Sequence, residues 1–340
     1  MLQSIYFTLR YKRSGILLAA ALLLAASLAK PNASFPQSGD KVKIGLPDFS
    51  ISFLSLKVAQ SQRLFQSEGL EVELIRISNP VAMIALLNKE IDYAASTGSV
   101  LASAVRGLPL KVVMYSLRTP PHALIVKPEI KTPPEIKEKI IGVATGTTEG
   151  ILRAIMVHAK LTEKDVKILL ISESSSRLNA LSLGRMDGAV LPPPFSVQAE
   201  KVGFRRLIGA SEVPEIVDAR IAFPPPAGLG VHSDKLQSQA QQIKQVVRAT
   251  LRGHDFIRTR KNDTVKIISD WLKVDSAIAA GAYDAYVSSL SPEGWVPEPF
   301  LESVVEQQRQ ALKVPEKVPL AKIADFRILK EILAESRKDR

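Results

Sequence analysis

The chain is written twice. ALLNKEIDYAAS (residues 85–96) and ALSLGRMDGAVL (residues 180–191) carry Ala, Leu, Asp and Ala at matching places, with Ile91 opposite Met186, at an offset of 95. Upstream, Ile44-Gly45 of KIGLPDFS answers Ile141-Gly142 of KIIGVATG at an offset of 97. Downstream, Gly107 of RGLPLKVV answers Gly203 of VGFRRLIG at an offset of 96. Three landmarks at nearly one spacing require two similarly built halves.

Each half reads as strands alternating with helices. In the first, strands are expected at 42–46, 70–77, 91–96 and 110–116, with helices at 55–69, 80–90 and 99–107. Leu56, Ala59, Leu64 and Phe65 keep a helical period, while Val72, Leu74, Ile75 and Ile77 suggest a buried strand with little polar alternation. The second half repeats the order with strands at 139–144, 166–171, 186–191 and 204–209, and helices at 150–161, 176–184 and 195–203. Such alternation implies α/β architecture with a mostly parallel sheet and right-handed crossovers in each half. Two lobes of this kind leave a groove between them.

The joints are proline-rich: SLRTPPHALIVKP (residues 116–128) and RIAFPPPAGLGV (residues 220–231). The expected organisation is lobe one from 42–121 plus 228–340, and lobe two from 122–227. The final third returns to lobe one as helices at 235–258, 262–272, 275–290 and 297–312. Residues 30–40 and the basic tail after Ser336 read as solvated ends.

The first 29 residues read differently. Arg10, Lys12 and Arg13 precede ILLAAALLLAASLA (residues 16–29), with small residues Ser27 and Ala29 at its end. This is the pattern of a signal peptide cleaved after Ala29. An uncleaved anchor is the alternative, but the run is shorter than the ~18 residues of a spanning helix. The expected location is the periplasm. The net charge of +11 is dispersed, and aromatics are only 6%, so nucleic acid is not an expected partner. There is no cysteine, which excludes disulfides, thiolate chemistry and a lipoprotein anchor.

In open parallel sheets ligands bind beyond the carboxyl ends of strands. That rule selects LPDFSIS (residues 46–52) and ASTGS (95–99) in lobe one, and ATGTTEG (144–150) and LPPPF (191–195) in lobe two. STGS and TGTT each set a glycine among hydroxyls before a helix, where free N–H groups and the dipole suit an anion or a polarised oxygen. The same residues are also ordinary helix caps and turns, and Glu149 would repel an anion if it pointed inward. No phosphate loop or dinucleotide fingerprint is present, since no lysine follows Gly146 or Gly150 and Gly142, Gly146 and Gly150 are spaced by four. His122, His158, His232 and His254 show no metal spacing and read as surface or hydrogen-bonded residues, with His122 set apart because it follows the Arg118-Thr119-Pro120-Pro121 joint. Arg118 could reach a ligand carboxylate or sulfonate bidentately, although a linker arginine is more often solvated. Asp92 and Asp187 match in the repeat and read as structural. Tyr283, Tyr286 and Trp271 read as core.

The segments 41–75, 85–99, 107–113, 140–155 and 180–204 resemble the solute-binding proteins of ABC importers for nitrate, sulfonates, taurine and thiamine-precursor pyrimidines, and FIRTRKNDTVKII and AYDAYVSSLSPEGWV resemble their C-terminal helices. The resemblance implies a type II periplasmic binding protein fold that closes on a small-molecule ligand by hinge motion. It also implies an ABC permease and its ATPase as partners, a monomer, no cofactor and no catalysis. The implied ligand residues are Ser50, Ser52, Ser96, Thr97, Gly98, Ser99, Thr145, Gly146, Thr147, Thr148, Pro193 and Phe195, joined by Arg118 from the joint. One branch of the family makes the thiamine pyrimidine with a histidine and a cysteine-rich iron motif. That enzymatic alternative is disfavoured here by the absence of cysteine.

Overall fold

The computed structural model describes residues 40–144, 146–213, 216 and 223–338. The expected signal peptide and Thr145 lie outside the described residues. No described helix is long and apolar enough to cross a membrane.

Two five-stranded sheets organise the chain. The first contains β1 (Asp40–Leu46), β2 (Leu70–Arg76), β3 (Tyr93–Ala94), β4 (Leu110–Tyr115) and β10 (Gly228–His232), in the order β2-β1-β3-β10-β4. The second contains β5 (Ala123–Val126), β6 (Ile140–Val143), β7 (Lys167–Leu170), β8 (Gly188–Leu191) and β9 (Arg205–Gly209), in the order β7-β6-β8-β5-β9. The two orders are one topology written twice. In each sheet four strands run one way, and the fourth in spatial order runs against both neighbours. Those antiparallel strands are β5 and β10, and they come from the two proline-rich joints. The sheets are therefore mostly parallel, and each segment expected to be a bare connection supplies a strand to the sheet it enters.

Helices cover both faces of each sheet. Around the first lie α1 (Leu54–Ser61), α2 (Leu64–Ser67), α3 (Asn79–Leu87) and α4 (Thr97–Val105). Around the second lie α5 (Thr147–His158), α6 (Ser174–Ser182) and α7 (Phe195–Lys201). Strand alternation divides the core between the faces. In β5, Leu124 and Val126 join α5, whereas Ala123 and Ile125 join α6 and α7. The final third adds α8 (Lys235–Ser238), α9 (Ala240–Thr259), α10 (Lys261–Leu272), α11 (Ser276–Ser289), α12 (Glu298–Ala311), α13 (Leu320–Ile323) and α14 (Arg327–Lys338). Most of these pack on the first sheet, with Ile243, Val246 and Tyr286 in one of its cores and Leu301 and Val304 in the other.

The repeat is visible atom by atom. A Cβ on Gly45 would lie 2.9 Å from Ile91, and one on Gly142 would lie 2.6 Å from the Met186 sulfur. Each inner strand thus keeps a glycine so that the matching apolar side chain can cross it. Asp92 accepts the Lys43 N–H at 2.8 Å and the Lys235 ammonium at 2.9 Å. Asp187 accepts the Ile140 N–H at 2.9 Å and the Lys127 ammonium at 2.7 Å. Lys127 follows β5 and Lys235 follows β10, so each aspartate ties an inner strand to the antiparallel strand of its own sheet.

Three local expectations differ from the structure. The helix expected at 55–69 breaks at Arg63, which takes φ 54° between α1 and α2. β2 is an edge strand rather than a buried one, so Glu71 and Glu73 face solvent along it. α14 fills a segment given no element, and its Leu329 and Ile332 enter the core beside α9.

Candidate functional site

A cleft of about 590 Å³ lies between the two sheets, lined by loops that follow strands in both. Three loops come from each lobe. From the first sheet they follow β1 (Pro47, Asp48, Ser50, Ser52), β2 (Ser78, Asn79, Pro80) and β3 (Ser96, Ser99). From the second they follow β6 (Ala144, Gly146, Thr147, Thr148), β7 (Ser172, Glu173, Ser174) and β8 (Pro192). Carboxyl ends of parallel strands are where such openings form, because the helices that follow begin there with unengaged N–H groups.

Hydroxyls dominate the walls. Ser96 precedes α4 without its side chain accepting a hydrogen bond from the helix, and Gly146, at φ 94° and with no side chain to cap with, precedes α5. Ser96 and Ser99 oxygens stand 3.5 Å apart. Thr148 is engaged within its own loop, accepting the Ala144 N–H at 2.6 Å and donating to the Ala144 carbonyl at 2.9 Å. Thr147 has no such partner among the described residues. Glu149 does not line the cleft; it pairs along its helix with Arg153 at 3.0 Å.

Four charged groups line the opening: Asp48, Arg106, Glu173 and Arg177. Arg177, only 2% exposed, donates to the carbonyls of Ile171, Ser172 and Val190 and to the Ser174 hydroxyl, at 2.7, 2.9, 3.2 and 2.9 Å. Burial lowers its pKa to about 10, opposed by the nearby carboxylates of Asp48 and Glu173. Burial likewise raises the Asp48 carboxyl, with the Ser50 hydroxyl, Arg177 and Arg76 pulling the other way and Glu173 adding to the rise. Across the cleft, Arg76 of the first lobe meets Glu173 of the second at 2.5 Å. His122 lies in the wall and its Nδ1 has no hydrogen-bond partner among the described residues. Burial first, then Arg177, lowers its pKa to about 3, so the imidazole is neutral at physiological pH.

A family model described as NMT1/THI5 like matches residues 50–263. The chain belongs to the NMT1/THI5-like family. The matched span takes in both hydroxyl-bearing loops and the first helix after β10. No curated protein matches the sequence. Among solved structures, the periplasmic aliphatic sulphonate-binding protein SsuA of Escherichia coli superposes with a TM-score of 0.67 at 15% identity, over 84% of this chain and 92% of that one. The periplasmic nitrate-binding protein NrtA of Synechocystis PCC 6803 gives 0.69 at 12%, over 87% and 89%. The desulfurization enzyme DSZB gives 0.62 at 14%, over 88% and 100%. The shared fold thus carries both binding proteins and an enzyme.

In this NMT1/THI5-like chain, the sequence-derived residues divide into two groups. Ser50, Ser52, Ser96, Ser99, Gly146, Thr147 and Thr148 line the cleft. Thr97 is buried and donates to the Pro225 carbonyl at 2.6 Å, and Gly98 packs on Pro224. Pro193 instead faces a second cavity of about 540 Å³ on the other side of His122. Phe195 opens α7 and packs with the core beneath it. Arg118 is exposed on the joint, its N–H donating to the Ser289 carbonyl, and the guanidinium groups lining the cleft are those of Arg106 and Arg177. The loops after β2 and β7 were missed, although they too follow parallel strands and carry serines at Ser78 and Ser172. Asp48 lay inside a selected loop with nothing in its neighbours to mark it.

Proposed function

We propose that the chain is the exported solute-binding component of an ABC importer. It captures a small polar or anionic organic molecule of the sulfonate, taurine or nitrate kind between its lobes and delivers it to a permease and ATPase. The observation that carries this reading is the cleft itself: six loops from two matching sheets, rich in hydroxyls and backed by a buried arginine, converge on one opening. Closure about the two joints would surround a ligand held partly by each lobe. The implied setting is the periplasm, reached through the signal-like residues 1–29, and the implied active form is a monomer.

An enzymatic reading on the same fold has support from the likeness to DSZB. Against it, the sequence has no cysteine. The histidine in the cleft is also a poor general base, because its pKa of about 3 is far from the value near 7 such a base needs.

Native mass spectrometry of the protein as purified should find a co-bound small anion or zwitterion. That compound should raise the melting temperature of the wild type, since a ligand at 100 times its Kd stabilises by about 2.7 kcal/mol. The Ser96→Ala, Thr147→Ala double variant should not respond. An equal shift in both proteins removes these residues from the site, and turnover of the compound by the protein alone replaces binding with catalysis.

A further inference from the structure

Asp48 lines the cleft as a carboxylate without a paired cation, and the exposed Arg106, which also lines it, has no ion-pair partner among the described residues. Among the described residues no cation forms an ion pair with Asp48, and its hydrogen-bond partner is the Ser50 hydroxyl. The neighbouring cations are already engaged. Arg177 directs its N–H groups to three carbonyls and Ser174, and Arg76 is held by Glu173. His122, 9% exposed, contributes no charge and leaves Nδ1 unpartnered in the same wall. The raised carboxyl of Asp48 agrees with this arrangement.

A plain anion entering the cleft would meet an unneutralised carboxylate. Elsewhere the walls offer hydroxyls, the exposed Arg106 guanidinium and the starts of α4 and α5, which suit negative charge. A solute with an anionic group at one end and a protonated nitrogen at the other satisfies both regions. We propose that Asp48 is the specificity-determining residue of the cleft, pairing with an ammonium of the ligand and selecting a zwitterion over the plain anion of equal length. This inference rests on the solute-binding reading above.

Isothermal titration of the purified protein with aminopropanesulfonate and propanesulfonate, which differ by the terminal ammonium, tests it. The aminated probe should bind the wild type about tenfold or more tightly, as a charge-assisted pair allows. In Asp48→Asn the ratio should fall close to one. Equal affinities in the wild type, or a preference that survives in Asp48→Asn, overturn the proposal. If the variant does not fold, acidification of the wild type serves instead. Neither probe titrates there, whereas Asp48, facing Glu173, Arg177, Arg76 and the neutral His122, takes up its proton early. The preference should therefore shrink as pH falls, and a preference indifferent to pH overturns the inference. Binding of neither probe at any pH overturns the sulfonate reading of the cleft and this inference with it, which separates the two failures.

Discussion

Asp92 and Asp187 perform one task at two places: each carboxylate accepts an N–H of an inner strand and a lysine ammonium that follows the antiparallel strand. Replacing Asp187 by Ala strands the Ile140 N–H and Lys127, and should cost about 2 kcal/mol in urea denaturation. Burial alone would raise the Asp187 pKa, but the Ile140 N–H and Lys127 lower it below the ordinary value. A depressed pKa stabilises the fold fully above the unfolded value of about 4 and loses that stabilisation as pH falls through the folded one. The gap between wild type and Asp187→Asn should accordingly narrow on acidification below about pH 4; a constant gap would remove the charge from the account. Residues of this kind were legible because the repeat aligned them. Arg177 and Asp48 were not, because their roles depend on which carbonyls and charges surround them after folding, and no spacing in the sequence records that.

At the level of elements, the helix and strand order was legible from periodicity, and the glycine–apolar pairing of Gly45 with Ile91 and Gly142 with Met186 was legible from the offset. The edge position of β2 was not, because a strand with Leu and Ile at its end reads alike at an edge or a centre. The joints concealed their strands, since runs such as PPH and FPPP read as linkers. α14 carried its own signal in Ile328, Leu329, Ile332 and Leu333, spaced for one helical face. Helix packing at Gly253 offers a sharp test. A Cβ there would stand 2.8 Å from the Ser55 carbonyl oxygen of α1, a backbone atom that cannot rotate away. Gly253→Ala should lower stability by about 1–3 kcal/mol, read as a shift in the denaturation midpoint, whereas a neutral outcome would mean that α1 and α9 separate freely.

For the whole molecule, the lobes meet through the joints, through α7 packing on α11 with Val197 against Gly281, and through exposed ion pairs. Arg76 binds Glu173 at the cleft, and Lys201 of α7 binds Asp275 ahead of α11 at 3.1 Å. Exposed pairs contribute about 0–1 kcal/mol each, enough to bias an opening equilibrium but not to fix it. Replacing Arg76 and Lys201 by Ala should leave the denaturation midpoint nearly unchanged while increasing the ligand-free radius of gyration in small-angle scattering. An identical radius would assign the lobe spacing to the joints and the α7–α11 packing. The interleaved strands also set an order of assembly. β5 to β9 form one uninterrupted stretch of chain, so the second sheet is complete once residue 209 has emerged. The first sheet has a gap between β3 and β4 that only β10 fills. During synthesis, the lobe that begins first is the one that must finish last, and until residue 232 arrives its two parts have no strand to join them.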